Sequence, residues 1–280
     1  MLIPFIKIQN VGNDFIYIDK KSLSRRRVSK SFLAKKICEC HKGVGSDGIF
    51  IVENVSSNAA FVEMFNSDGS SMEFCANGVR GASLYLRETY KSRSRSFIIL
   101  TSYKEYDVKI IRSSESRQTA RLRTGNPWFD SAVIGYSKKA KNCLGIEIRG
   151  GREIWFSYCV AMPNPQAVIF VDNFDFDWQK EGSIVENSPL FKNRINVMFT
   201  RVDSKRKLTV MPWERGVGAT QSCGSGAAAA TVISGLLGYT KGYVSVYMPG
   251  GVLKSKWDIS ENTVYQEGSS EIVCSGLYRF

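Results

Sequence analysis

Two stretches of this 280-residue chain follow one pattern, and they stand 148 positions apart (75 to 223), about half its length. Glu73-Phe-Cys-Ala-Asn-Gly-Val-Arg-Gly-Ala-Ser-Leu-Tyr-Leu and Gln221-Ser-Cys-Gly-Ser-Gly-Ala-Ala-Ala-Ala-Thr-Val-Ile-Ser share Cys-x-x-Gly, then small residues, then an apolar helical run. Small side chains on a helix let strands pack close around it. The repetition therefore predicts two equivalent domains, each with a central helix that opens at a cysteine.

What surrounds those helices reads as strands. Short alternating or β-branched runs recur at 5–8, 15–19, 49–53, 60–65, 97–101, 108–111, 119–123, 146–148, 154–160, 167–171, 195–200, 208–212, 243–248 and 271–279, most of them separated by Gly, Asn, Asp or Ser. Helical patterns are few: 29–40, the stretch after Cys75 through Arg87, one near Pro189, and the stretch after Cys223 through Leu237. The expectation is an α+β chain with mainly antiparallel strands, and a 43% hydrophobic content supports real cores.

A thiol at a helix start has a specific chemistry. Unpaired backbone N–H groups and the positive end of the dipole favour a thiolate there. A free thiol ionises near pH 8.5, and a helix end contributes about 0.3 to 2 kcal/mol, enough for about one unit of lowering. The expected result is a base usable near neutral pH. The same N–H groups can hold a substrate carboxylate. If the two domains face each other across a cleft, one thiolate removes an α-proton and the other thiol returns one to the opposite face. That is racemisation or epimerisation without a cofactor.

Other readings find less support. Seven cysteines, an odd number, argue against a disulfide framework. Cys38-Glu-Cys-His41 lacks a second ligand cluster, so no metal is expected. Gly43-Val-Gly-Ser-Asp-Gly is only superficially a nucleotide loop, because no βαβ fingerprint surrounds it. The formal charge of +12 is concentrated at Arg25 to Arg27, Lys91 to Arg95, Lys138 to Lys141 and Lys205 to Lys207. Those runs are scattered and turn-like, without interleaved aromatics, and are read as solvated loops more readily than as a nucleic-acid surface. No apolar run approaches a membrane span and none forms a secretory leader, so a soluble cytoplasmic protein is expected, without membrane or nucleic-acid partners.

With these residues in view, the sequence resembles the diaminopimelate epimerases through most of its length. The resemblance rests on an ordered set: Gly12-Asn-Asp-Phe, Gly43-Val-Gly-Ser-Asp-Gly, Phe65-Asn-Ser-Asp-Gly-Ser, Glu73-Phe-Cys-Ala-Asn-Gly-Val-Arg, Gly125-Asn-Pro, Met162-Pro-Asn-Pro-Gln, Asn196-Val-Met-Phe, Trp213-Glu-Arg-Gly-Val-Gly-Ala-Thr and Cys223-Gly-Ser-Gly-Ala. It implies two pseudo-symmetric halves, each a curved sheet around a central helix: 1–126 joined by a returning strand 268–280, and 127–267. It further implies a homodimer that interconverts LL- and meso-diaminopimelate on the route to lysine and peptidoglycan, with no cofactor.

Carried over by position, the resemblance makes Cys75 and Cys223 the catalytic thiols. It assigns substrate contacts to Asn13, Asn66, Asn164, Asn196, Glu214 and Arg215, and to the backbone N–H groups of Ala76, Asn77, Gly224 and Ser225. Three residues depart from the family pattern: Ala76 replaces Gly, Gln166 replaces His, and Ser225 replaces Thr. Gln166 cannot take a proton near neutrality, so activating the thiols is left to the helix starts and Glu214. A broadened racemase, for example one acting on glutamate, is the second reading, and a non-enzymatic nucleic-acid-binding protein the third.

Overall fold

The structure, a computed structural model, describes residues 1–23, 28–73, 75–151 and 153–280; the Arg25 to Arg27 run lies outside them. In chain order the elements are β1 (Leu2–Asn10), β2 (Asn13–Asp19), α1 (Lys20–Leu23), α2 (Lys30–Ile37), β3 (Gly48–Ser56), β4 (Ala59–Asn66), α3 (Ala76–Tyr90), β5 (Ser96–Leu100), β6 (Glu105–Ser113), β7 (Arg117–Gly125), α4 (Ser131–Ile134), β8 (Leu144–Arg149), β9 (Ile154–Ala161), β10 (Pro165–Phe170), α5 (Trp178–Glu186), β11 (Asn196–Ser204), β12 (Lys207–Glu214), β13 (Gly218–Ala219), α6 (Gly224–Leu236), β14 (Val244–Met248), β15 (Gly251–Asp258) and β16 (Thr263–Arg279). They form two compact units, Met1–Leu122 with Glu267–Phe280, and Arg123–Gln266.

Both units use the same order of pairings. In the first, β1·β2, β3·β4 and β5·β6 are antiparallel while β2·β3 and β4·β5 are parallel. In the second, β9·β10, β11·β12 and β14·β15 are antiparallel while β10·β11 and β12·β14 are parallel. Parallel neighbours need a crossover of a dozen or more residues. Each of the four crossovers contains a helix, and α3 and α6 are the equivalent crossovers that follow the cysteines. β16 returns to the first unit and pairs with β1 from Leu2↔Arg279 to Gln9↔Glu271, which closes the ring β1-β2-β3-β4-β5-β6-β7-β16.

Strand alternation decides what each helix covers. In the first unit Phe15, Tyr17, Phe50, Val52, Val62 and Met64 point toward α3, in one core with Phe97, Ile99, Val108 and Leu122. The alternate residues Ile16, Ile18, Ile49 and Ile51 point the other way and pack on Leu33, Ala34 and Ile37 of α2. Strands covered on both faces lose polar alternation, which is why these segments read as continuous apolar runs. In the second unit one core gathers Cys159, Ala167, Ile169, Val185 of α5, Val197 and Phe199. The opposite face of β11 meets α6, where Met198 lies against Gly226.

The helices differ in extent from the sequence expectation. α2 starts as expected, with the Ser29 Oγ accepting from Phe32 N–H, but ends at Ile37 and not Cys40. The chain turns back over it there, and the Val44 and Gly45 N–H groups both donate to the Ile37 carbonyl. The helix expected near Pro189 is α5, which Asp177 caps and which stops at Glu186, short of the proline. β15, with alternating exposed and buried residues, and the first half of β16, with alternating buried and half-buried ones, were not singled out from the sequence.

Two glycines near the helix starts test this packing. A Cβ on Gly78 would fall 2.0 Å from Cζ of the fully buried Phe50, whereas one on Gly226 would meet the flexible thioether of Met198 at 2.2 Å. A ring in a filled core has nowhere to go, while a methionine can change rotamer. Gly78→Ala is expected to lose about 3 kcal/mol and Gly226→Ala about 1 kcal/mol, read as thermal unfolding midpoints. An equal or reversed ranking would contradict the packing described.

Candidate active site

Each unit contains one cysteine that caps a helix. Cys75 is the N-cap of α3 with extended backbone (φ −153°, ψ 93°), and its Sγ accepts from Gly78 N–H at 3.3 Å. Cys223 caps α6 in the same way (φ −125°, ψ 106°), with Gly226 N–H donating to its Sγ at 3.3 Å. The third N–H of each helix is thus taken by the thiol. The earlier positions, where anion binding was expected, are Ala76 and Asn77 in one helix and Gly224 and Ser225 in the other.

In the first unit the side chains around Cys75 form a relay of amides. Arg80 donates from Nη2 to the Asn77 Oδ1, Asn77 Nδ2 donates to Asn13 Oδ1 at 2.7 Å, and Asn13 Nδ2 donates to Asp47 Oδ2 at 3.3 Å. Asn13 is placed by a tight turn in which Val11 and Gly12 both have positive φ (54° and 89°). Asp47 also accepts from Asp14 N–H at 3.0 Å, and Lys7 ties Asp14 to the Gly45 carbonyl. The Gly43 to Gly48 segment therefore supports Asn13. Asn66 sits at the end of β4, opposite Gly48, and its Nδ2 donates to Ser70 Oγ at 2.9 Å.

In the second unit Cys223 is almost fully buried and donates to Glu214 Oε2 at 3.1 Å, while Thr220 Oγ1 donates to the other carboxylate oxygen at 2.7 Å. Ser225 Oγ lies 3.5 Å from the thiol and accepts from Gln166 Nε2 at 3.1 Å, and Gln166 Nε2 also donates to Asn164 Oδ1 at 2.9 Å. Gln166 is opposite Asn196 in the parallel pair, and Asn196 Oδ1 accepts from Arg215 N–H at 2.9 Å. Hydrogen bonds thus join Glu214, Cys223, Ser225, Gln166 and Asn164 in one group and Asn196 with Arg215 in another, while the Gly224 carbonyl accepts from Gln266 Nε2 at 2.8 Å.

The electrostatics of Cys223 correct the sequence expectation. Burial, and behind it the Glu214 charge, push this thiol well above its ordinary value, which outweighs the helix start and the Gly226 N–H. Desolvation penalises the charged form more than about one unit of dipole stabilisation can recover. Cys223 is accordingly held as the thiol near neutral pH while the site is at rest. Glu214→Gln removes an anion and leaves an isosteric acceptor, so it should lower the pH at which Cys223 is alkylated. An unmoved or raised midpoint in the folded variant would show that Glu214 does not act on this sulfur.

The sequence model "Diaminopimelate epimerase" matches residues 5–127 and 158–273. The chain belongs to the diaminopimelate epimerase family. A diaminopimelate epimerase from Carboxydothermus hydrogenoformans is 33% identical over 277 residues, covering 98% of both chains. One from Desulfovibrio desulfuricans is 34% identical over 286 residues, covering 98% of this chain and 97% of that one. Among solved structures, the fold matches a hydroxyproline epimerase from Agrobacterium vitis with a TM-score of 0.70 at 9% identity, covering 99% of this chain and 92% of that one. It also matches a PhzF-family phenazine biosynthesis protein from Bacillus anthracis with a TM-score of 0.69 at 13% identity, covering all of both. Family membership makes the chain an isomerase of the epimerase type, and it favours neither the broadened racemase nor the nucleic-acid-binding reading.

Three supporting side chains escaped the sequence reading. Asp47 and Arg80 stand inside quoted motifs without an assigned role. Glu186, at the end of α5, is buried and accepts from Trp213 Nε1 at 2.7 Å and Gly216 N–H at 2.9 Å, which holds the loop that carries Arg215. A buried carboxylate cannot be recognised from a lone Glu in a helical pattern. Cys38 is buried in the core beside α2, where burial pushes its thiol up to about 11, and Cys40 is exposed. Among the described residues no three His, Cys, Asp or Glu side chains gather to hold a metal ion, and no helix is long and apolar enough to cross a membrane.

Proposed function

We propose that this family member interconverts LL- and meso-diaminopimelate, with Cys75 and Cys223 exchanging the roles of base and acid. The observation that carries the reading is the matched pair of helix-capping thiols, each bonded to the third N–H of its helix, one of them with a carboxylate on its sulfur. In each turnover a thiolate takes the α-proton, so the C–H bond breaks and its electron pair is left on the α-carbon and delocalises into the carboxylate. The opposite S–H bond then breaks and delivers its proton to the other face. Each cycle leaves the pair with its charge exchanged. Inversion at one carbon needs one group of each kind, and the two units supply one each.

Substrate contacts follow the half-sites. The starts of α3 and α6 and the Arg215 guanidinium bind carboxylates, while Asn13, Asn66, Asn77, Asn164 and Asn196 supply amides that donate and accept. Gln166 binds Asn164 and Ser225 and orients them without titrating. We place the enzyme in the cytoplasm as a homodimer, at the epimerisation step toward lysine and peptidoglycan, on the strength of its family.

The test is turnover in D2O. LL-diaminopimelate should yield the meso form with one deuterium at the inverted α-carbon, and L-glutamate and L-proline should be unchanged under the same conditions. Faster inversion of either simple amino acid than of LL-diaminopimelate would replace the proposal by the racemase reading.

A further inference from the structure

Superposing the pairings of the two units aligns Gly48 with Asn196, Asn66 with Glu214, Cys75 with Cys223, Asn77 with Ser225 and Arg80 with Ala228. The two half-sites therefore share a backbone and differ in charge. Where the second places a carboxylate on its thiol, the first has the neutral Asn66. Where the second has a methyl group inside its helix, the first has a cation.

Arg80 is fully buried among the core residues of the first unit, and it is the largest side chain there. A long side chain on a helix leans toward the N-terminus. The bond from its Nη2 to Asn77 Oδ1 places the guanidinium beside the first turn of α3, which Cys75 caps. Its Nε and Nη1 have no hydrogen-bond partner among the described residues, and no carboxylate is paired with it there. A buried cation with two unmatched donors is costly unless an anion shares its surroundings. Burial lowers the guanidinium to about 10, still protonated at neutral pH, and an ionised Cys75 is the neighbouring charge that favours it most.

The other titratable groups that face this position do not compete. Tyr17 from β2 and Tyr106 from β6 are both pushed up by burial and stay neutral. Asp47 lies two amides away along the relay, Asp14 is paired with Lys7, and Glu73 is exposed in the segment before Cys75.

We propose that Arg80 is a positioning residue that polarises the cysteine pair: its buried charge selects Cys75 as the thiolate of the resting enzyme, while Glu214 holds Cys223 as the thiol. This rests on the two-thiol reading above. It adds that the free enzyme has one ready base and one ready acid, assigned to fixed halves, and is primed to remove the α-proton from the face that Cys75 meets.

The test reads the thiols themselves and needs no turnover. Full-length protein is treated with iodoacetamide from pH 6 to pH 10, and modification of Cys75 and Cys223 is followed separately by mass spectrometry. The readout is the pH midpoint of each site, because burial slows Cys223 at every pH. Cys75 is expected to have the lower midpoint, below the free-thiol range near 8.5. Arg80→Met should raise the Cys75 midpoint by about one unit, a tenfold slower reaction at pH 7, and leave the Cys223 midpoint in place. Arg80→Lys, which keeps the charge and loses the planar contact to Asn77, should restore most of the shift.

A Cys75 midpoint at or above that of Cys223 in the wild-type protein overturns the proposal even if Arg80→Met does not fold. So does a folded Arg80→Met with an unmoved Cys75, or an Arg80→Lys that behaves like Arg80→Met. Any of these results together with inactive cysteine variants would leave the two-thiol reading standing and remove only the polarisation.

Discussion

Cys75→Ala and Cys223→Ala are each expected to lower turnover of both LL- and meso-diaminopimelate by about 10³-fold or more. A positioned general acid or base contributes about 10²- to 10⁴-fold, and in the proposed mechanism each thiol serves as base in one direction and as acid in the other. Neither loss can be confined to one direction, because the equilibrium constant is fixed by the substrates. The fold should survive. Alanine leaves a small gap and removes one capping acceptor from Gly78 or Gly226, a loss of about 1 kcal/mol. Thermal unfolding within a few degrees of wild type, with turnover in both directions down together, is the expected pair of measurements. Either variant keeping more than about a tenth of wild-type turnover would falsify the two-thiol reading.

The parts of this site that were legible in the sequence are those fixed by local chemistry. Cysteine followed by small residues and an apolar run states where a helix starts and that a thiol caps it, and both caps formed at those residues. The asparagines were picked out only through the family motifs that contain them; in the fold Asn13 and Asn196 open β2 and β11. What depended on tertiary surroundings was not. Arg80 read as an ordinary helix residue until the ring of strands closed over it. The effect of Glu214 on Cys223 depends on the depth of that sulfur, and depth reversed the sign expected from the helix dipole. The parallel pairs were hidden too, because parallel and antiparallel strands share one side-chain period; only the helical crossovers between them carry the distinction.

Among the proposed substrate contacts, Arg215 has the most to lose. It follows β12 directly, its N–H is held by Asn196 Oδ1, and its Nη1 donates to the Asn193 carbonyl at 2.8 Å. Glu186 fastens the loop on either side through Trp213 and Gly216. The guanidinium is thus positioned before substrate arrives, with donors beyond Nη1 for a bidentate carboxylate contact. Charge-assisted hydrogen bonds are worth about 1.5 to 3 kcal/mol each, so loss of a pair should cost at least about 3 kcal/mol, or 10²-fold. Arg215→Met is expected to lower kcat/KM for diaminopimelate by about 10² to 10³, mostly through KM, because a carboxylate remote from the proton transfer is held alike in ground and transition states. Arg215→Lys restores the charge but not the fork and should recover only part of it. Cys75 and Cys223 alkylation should keep wild-type pH midpoints in both variants, since no thiol lies on this contact network. An Arg215→Met enzyme with KM within about threefold of wild type would remove the guanidinium from substrate binding and leave Asn196 and the helix starts to hold the carboxylate.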